Sequence, residues 1–224
     1  MDLHSTLIFI IGLIFLSYAS YHDIKTREIY SIVWFLMAVS GYILSMIYYS
    51  NGWEILTLMF IVISLWYFEL MFYEYIIDII IIIINFYLML NTNNISFNID
   101  LFLVIIYKYF YHINLMPGKA DARAMMSLTL LSPNYSDGFG PYSHVNYVVN
   151  ILFPYSLEIL FYALILNAII FGSYVAWKNH KNNVEISFTH LYENGEYKKY
   201  QTPFILSITL SFIISFFFSL FSIF

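Results

Sequence analysis

The sequence predicts an all-α, polytopic membrane bundle with about 6–8 transmembrane helices. Of its 224 residues, 61% are hydrophobic and only 10% are charged, and the mean hydropathy is +0.76. A soluble domain carries about 25% charged residues, so one water-soluble core cannot bury this much apolar surface. The apolar runs are long and unbroken, which indicates helices rather than strands of alternating polarity.

The candidate spans follow from these apolar runs, because a helix needs roughly 20 apolar residues to cross a bilayer. They lie near 3–20, 30–49, 55–73, 75–90, 99–115, 122–132, 147–177 and 203–223. The first is preceded by Met1-Asp2 without any Lys or Arg, which favours an uncleaved span over a signal peptide.

Three of these candidates have irregular lengths or boundaries. The segment 122–132 is short for a span, and Pro154 marks either a kink or the true start of the long segment 147–177. A tight hairpin is predicted around Glu74, where two apolar runs adjoin.

The basic residues support this arrangement of spans. They are Lys25, Arg27, Lys108, Lys119, Arg123, Lys178, Lys181, Lys198 and Lys199. If every candidate crosses and the N-terminus lies outside, each basic residue falls at or near a cytoplasmic end. The opposite loops, near 50–54, 91–98 and 133–146, contain no Lys or Arg.

The predicted organisation is a single membrane-embedded domain over 1–224, with a small cytoplasmic loop at 178–202 and an extra hairpin within 55–98. Within that loop, the polar stretch 192–197 predicts a turn between short extended or helical pieces. We expect the protein in the cell membrane as a multi-pass protein.

Composition also excludes several classes of function. The chain has no cysteine, which excludes disulfides, thiol catalysis and cysteine metal sites. Its net charge of −5 and the lack of a basic patch argue against nucleic acid as a partner. The six histidines show no metal-ligand spacing, and no glycine-rich phosphate loop is present, so we predict neither a metal nor a cofactor.

Acidic residues in or near the spans are functional candidates, because ionisable groups are costly inside a membrane. They are Asp23, Glu69, Glu74, Asp78, Asp100, Asp121 and Glu158. Most have a structural interpretation. Glu74 fits a solvated turn, Glu69 and Asp78 fit positions near water, Asp100 fits the interface, and Glu158 fits a hydrogen bond inside the bundle.

Asp23 and Asp121 differ from the others because the span arrangement brings both to the cytoplasmic face. Each alone fits a solvated residue at a helix boundary: Asp121 lies at a helix start, after the turn residue Gly118 and between Lys119 and Arg123. Together they form a possible carboxylate pair.

These two stretches resemble motifs of one enzyme family. The first, Asp23-Ile24-Lys25-Thr26-Arg27-Glu28-Ile29, directly follows a span, and the second, Gly118-Lys119-Ala120-Asp121, opens a later one. Their order resembles the type IV prepilin peptidases, and most of all the archaeal preflagellin (prearchaellin) and prepilin peptidase branch. In bacterial members the second motif is Gly-x-Gly-Asp, and archaeal members commonly have a small or hydrophobic third residue, as here.

Two weaker similarities and one difference complete the comparison. The run 122–133 resembles the archaeal pattern of a helix ending at a proline, and Thr202-Pro203-Phe204 resembles a late Pro-Phe element. The stretch between the two motifs is longer than the family pattern by about one helical hairpin, on the order of 40 residues.

The resemblance implies a membrane aspartic endopeptidase that removes short basic leader peptides at the cytoplasmic membrane face. Its partners would be pilin- or archaellin-like precursors and membrane lipid, and its catalytic residues would be Asp23 and Asp121. Two other classes stay open: an ion-coupled secondary transporter using Glu69, Asp78 and Glu158, and a noncatalytic membrane scaffold.

A pair of aspartates hydrolyses a peptide bond without metal when one is ionised and the other protonated. Asp121 at a helix start, beside Lys119 and Arg123, is predicted to be the ionised partner. Asp23 follows a helix end, whose dipole disfavours negative charge, and is predicted to be the protonated one.

Overall fold

The structure is a computed structural model. It describes residues 3–48, 59, 61–62, 71–91, 95–113, 115–116, 118–132, 154–182, 184–185, 187, 189–193, 196–199 and 202–217. Within these residues the chain is almost entirely helical, which confirms the all-α prediction. Most of the candidate span 55–73 and the loop 133–146 lie outside the described residues.

The described elements are seven helices and one antiparallel β-hairpin. The helices are α1 (Leu3–Lys25), α2 (Ser31–Tyr48), α3 (Met71–Asn91), α4 (Ile95–His112), α5 (Lys119–Leu131), α6 (Tyr155–Lys181) and α7 (Phe204–Phe217). The strands are β1 (His190–Glu193) and β2 (Glu196–Lys199), paired with Leu191 opposite Lys198. The hairpin confirms that the 178–202 loop contains extended pieces.

Two of the described helices, α1 and α6, are long and apolar enough to cross a membrane. Ser31–Ile47, Tyr75–Leu90 and Phe204–Phe217 are shorter apolar helices. Many large apolar side chains of α1 and α3 are exposed, among them Ile14, Ile83 and Leu90 at more than half of their surface. Such faces suit a lipid environment.

Helix α5 forms the centre of the bundle. It contacts α1, α2, α4, α6 and α7, and every residue from Ala124 to Leu131 is buried. Helix α2 comes close enough that a Cβ added to Gly41 would clash with the backbone of Leu130. The Ser127 hydroxyl donates a hydrogen bond to the Trp34 carbonyl at 2.9 Å, which ties the same two helices together.

Helix α6 begins at Tyr155, directly after Pro154, so the proline marks the start of this helix. Its middle, Ala168–Gly172, is a π-helical segment, and α-helix resumes to Lys181. The buried Asn179 then holds the hairpin: its amide group donates to the His190 carbonyl at 2.7 Å and accepts from the Tyr192 N–H at 3.0 Å.

A buried ion pair joins α3 to α4. The Lys108 ammonium donates to both carboxylate oxygens of Asp78, at 2.8 and 2.9 Å, and both side chains are almost fully enclosed. The prediction that Asp78 lies within reach of water is therefore wrong, because the carboxylate is neutralised by a lysine inside the bundle. Lys108 is likewise buried inside the protein, at 2% exposure.

One further prediction in this region is wrong. Glu74 lies within α3, which begins at Met71, so no turn occurs at Glu74. Asp100, near the start of α4, is buried, at 6% exposure. Helices α3 and α4 pack together and enclose Asp78 and Lys108 between them.

Candidate active site

Asp121 lies in the first turn of α5, before the predicted span 122–132. Its carboxylate folds back on the start of its own helix, and the Gly118 N–H donates a hydrogen bond to it. Gly118 has extended backbone, with φ −142° and ψ 154°, and a Cβ at this position would lie 3.0 Å from Asp121 Oδ2. The glycine therefore provides space for the carboxylate rather than an unusual backbone conformation.

Asp23 lies in the last turn of α1, where it is half-buried. Its Oδ2 accepts a hydrogen bond from the Ile205 N–H at 3.3 Å. Ile205 is the second residue of α7, so the contact places Asp23 against the N-terminus of another helix, whose amides and dipole stabilise negative charge.

The chain reverses direction directly after Asp23. The Thr26 N–H and hydroxyl both donate to the His22 carbonyl, which ends α1. Arg27 then adopts the left-handed conformation, with φ 59°, which costs a non-glycine residue about 1–2 kcal/mol. Partial burial raises the pKa of Asp23, and the charge of Arg27 and the hydrogen bond from the Ile205 amide oppose this rise.

The two aspartates interact electrostatically although they are far apart in sequence. Asp121 is only 7% exposed. This burial, together with the nearby Asp23 carboxylate, raises the pKa of Asp121 to about 7, against the hydrogen bond from Gly118. The pKa values of both carboxyl groups are raised, and the large rise at the more deeply buried Asp121 favours that residue as the one that keeps a proton towards neutral pH.

This reverses the predicted proton assignment. Asp121 does start a helix, as expected, but its burial outweighs the helix dipole. Asp23 lies in the last turn of α1, which runs to Lys25 rather than ending near residue 20, and the N-terminus of α7 faces it. Both aspartates lie close to helix ends, as predicted, whereas burial and the neighbouring helix depend on tertiary packing.

Lys119 and Arg123 flank Asp121 on α5 and are partly exposed. The helix start and these two cations were expected to favour the ionised form of Asp121, whereas burial is the largest influence on its pKa in the structure. They keep the local charge of this end of α5 positive, which suits a helix beginning at a membrane face.

Sequence reasoning missed three residues at the contact between α1 and α7. These are Ile205, whose amide contacts the carboxylate, and the buried pair Ser20 and Thr209, whose side-chain oxygens lie 2.6 Å apart. One signal was available: Thr202-Pro203-Phe204 was singled out as a late motif, and it directly precedes Ile205. Pro203 and Phe204 are both buried beside the site's helix start.

The other acids are placed elsewhere. Asp78 is bound by Lys108, Asp100 is buried in α4, and Glu158 is buried in the first turn of α6. Glu69 lies outside the described residues. Across the described ranges, no three acidic or histidine side chains gather in a geometry that could hold a metal ion.

Searches for relatives add no family to this geometry: no protein-family model, no curated protein and no solved structure matches the chain.

Proposed function

We propose that the chain is a membrane aspartic endopeptidase that removes short basic leader peptides from prepilin- or prearchaellin-like precursors. One observation carries the proposal. Asp23 and Asp121, 98 positions apart in sequence, interact electrostatically: burial of Asp121, together with the charge of Asp23, raises the pKa of Asp121 to about 7. Each lies at a helix end and has a backbone amide donor, Ile205 for Asp23 and Gly118 for Asp121.

A multi-pass arrangement with this site facing the cytoplasm accompanies the proposal. The end of α1, the starts of α5 and α7, and therefore both aspartates belong to one end of the bundle. Basic residues concentrate at this end, including Lys25, Arg27 and Lys119. Such a concentration favours the cytoplasmic side.

In the proposed reaction, the Asp23 carboxylate takes a proton from water as the water oxygen attacks the scissile carbonyl carbon. Asp121 donates its proton to the carbonyl oxygen, which gives a neutral tetrahedral diol. Asp23 then gives its proton to the departing amine nitrogen while Asp121 takes the proton of one diol hydroxyl, so that the C–N bond breaks and a carboxyl group and an amine are released. Both aspartates thereby regain their starting protonation states.

The decisive experiment measures cleavage of a basic-leader prepilin or prearchaellin by membranes that contain this protein. We expect Asp23→Asn and Asp121→Asn each to lower the rate by at least about 10³-fold, since each removes a general acid or base. Glu28→Gln is the matched control, because Glu28 is an exposed acid in the loop after α1 and should keep the wild-type rate. Full cleavage by either asparagine variant would refute the proposal.

A transporter would make different use of the same acids. It would require Asp78 or Glu158 to face an open cavity near the bilayer midplane. The bidentate contact of Asp78 with Lys108 instead supports a structural role for that acid. A scaffold would tolerate both asparagine substitutions, so the cleavage experiment distinguishes it as well.

A further inference from the structure

We infer that the N-terminus of α7 positions Asp23, because the Ile205 amide donates a hydrogen bond to the carboxylate. Ser20 and Thr209 are positioning residues that fix the register of α1 against α7. The inference rests on the proposed function, because Asp23 is the base of that reaction.

The first contact follows from how a helix begins. The Ile205 N–H lies in the first turn of α7, where an amide has no carbonyl four residues earlier within the same helix. Asp23 Oδ2 accepts this amide at 3.3 Å, across 182 positions of sequence. A carboxylate in this position both caps α7 and is held in one orientation.

The second contact lies one helical turn deeper on both helices. Ser20 precedes Asp23 by three positions, and Thr209 follows Ile205 by four, so each pair shares a helix face. The two hydroxyl oxygens are 2.6 Å apart and buried. Thr209 Oγ1 also lies 3.3 Å from the Leu16 carbonyl and 2.9 Å from the Ile205 carbonyl.

These contacts act together because α1 and α7 pack along much of their length. Deeper in the same interface, Gly12 admits the Phe212 ring, and Phe9 stacks on Phe216 with ring centroids 4.1 Å apart. Apolar packing alone permits α1 to slide slightly along α7, whereas the buried hydroxyl pair forms its hydrogen bond in only one register of the two helices. That register determines whether the Ile205 amide meets the Asp23 carboxylate.

The kinetic test compares hydroxyl removal at two positions of α7. Thr209→Val removes the contact with α1, and we expect kcat to fall about three- to tenfold. The acidic limb of the pH–rate profile should move to higher pH, because Asp23 loses an interaction that favours its ionised form. Thr209→Ser keeps a hydroxyl and should restore both the rate and the limb.

Ser211→Ala is the matched control. Ser211 is buried in the same helix, but its hydroxyl donates within α7, to the Ser207 carbonyl at 2.7 Å. We expect this variant to keep the wild-type acidic limb. An equal displacement of the limb in Ser211→Ala, or no displacement in Thr209→Val, would overturn the inference.

A second experiment tests the register without any activity assay. The chain contains no cysteine, so Ser20→Cys combined with Thr209→Cys introduces a unique pair. We expect a disulfide to form in membranes under mild oxidation, and a Ser20→Cys with Ser211→Cys pair to form much less. A chain that cross-links but cleaves no precursor would refute the proposed function and leave the register standing. A chain that cleaves but does not cross-link would refute the register.

Discussion

Two buried acidic sites in this bundle have opposite surroundings. Between α3 and α4, Asp78 meets a lysine, which contacts both carboxylate oxygens at 2.8 and 2.9 Å. Between α1, α5 and α7, Asp121 meets a second carboxylate, and its pKa rises to about 7. Burial is similar at both positions, since Asp78 is 2% and Asp121 is 7% exposed. The neighbouring charge makes the difference.

The contrast separates a group that maintains the fold from one suited to chemistry. A carboxylate paired with a lysine keeps its charge and exchanges protons poorly, so it fixes two helices in place. A carboxylate beside another carboxylate holds a proton near neutral pH and is ready to transfer it. The predictions below test this distinction, beginning with the largest expected effect.

Removing one partner of the ion pair should destabilise the fold strongly. We expect Asp78→Asn to lower the free energy of unfolding by about 3–5 kcal/mol, because Lys108 would keep a buried charge without its carboxylate. Adding Lys108→Met should recover most of that loss. Unfolding in detergent micelles measures both variants, and a double variant no more stable than the single one would contradict the interpretation.

The contribution of Asp121 to the free energy of unfolding should fall as the pH rises. A carboxylate paired with a cation shows the opposite dependence. The pKa of Asp121 rises from 3.8 to about 7 on folding, so between these values the folded state holds a proton that the unfolded state releases. This contribution is fully present below about pH 4 and is lost as the pH rises through 7. Asp121→Asn should remove the dependence, with a difference of a few kcal/mol across the window.

That comparison uses the difference in unfolding free energy between the wild type and Asp121→Asn, measured from about pH 4 to pH 8. Carboxylates that do not interact with Asp121 contribute equally to both proteins and cancel. A difference that stays constant over this range would show that Asp121 is not the group that holds the proton.

The space at Gly118 should matter to the rate rather than to stability. In Gly118→Ala, the new Cβ would lie 3.0 Å from Asp121 Oδ2 and displace it by a few tenths of an ångström. We expect about a tenfold fall in kcat, since small misplacements of a reacting group are costly. Gly12→Ala is the counterpart: its Cβ would meet the Phe212 ring at 2.6 Å, which should lower stability.

The smallest effect is expected at the flanking cations. Because burial and Asp23 raise the pKa of Asp121, Lys119→Ala and Arg123→Ala should change kcat by less than about threefold. The basic limb of the pH–rate profile, where Asp121 loses its proton, should stay near pH 7. A displacement of that limb by a full pH unit in either variant would show instead that the flanking cation strongly influences the pKa of Asp121.

The sequence predicted the helices well, because long apolar runs determine them. Even the short α5 was predicted within a few residues, and Pro154 correctly marked the beginning of α6. The turn at Glu74 was wrong, since composition alone does not reveal that Asp78, one helical turn later, has a lysine partner on α4. An acidic residue within an apolar run is interpreted as a helix boundary when its ion-pair partner is unknown.

The candidate site was predictable in its residues but not in its chemistry. Asp23 and Asp121 were identified from motif order and span parity. Their proton assignment depended on two facts of packing: the depth of Asp121 within the bundle, and the arrival of Ile205 beside Asp23 from 182 positions away. Local sequence records which helix end carries an acid, but not which other helix end faces it.

The π-helical segment Ala168–Gly172 affects the direction in which the later residues of α6 face around the helix axis. A π-helical turn accommodates one residue more than an α-helical turn, so it behaves like a one-residue insertion. Each residue of an α-helix advances by roughly 100° around the axis. Deleting one residue from a regular α-helical stretch of α6 would therefore turn Asn179 by about that angle and away from the hairpin backbone it holds. A deletion within 168–172 should instead let the segment close as an ordinary α-helical turn and leave Asn179 facing the hairpin.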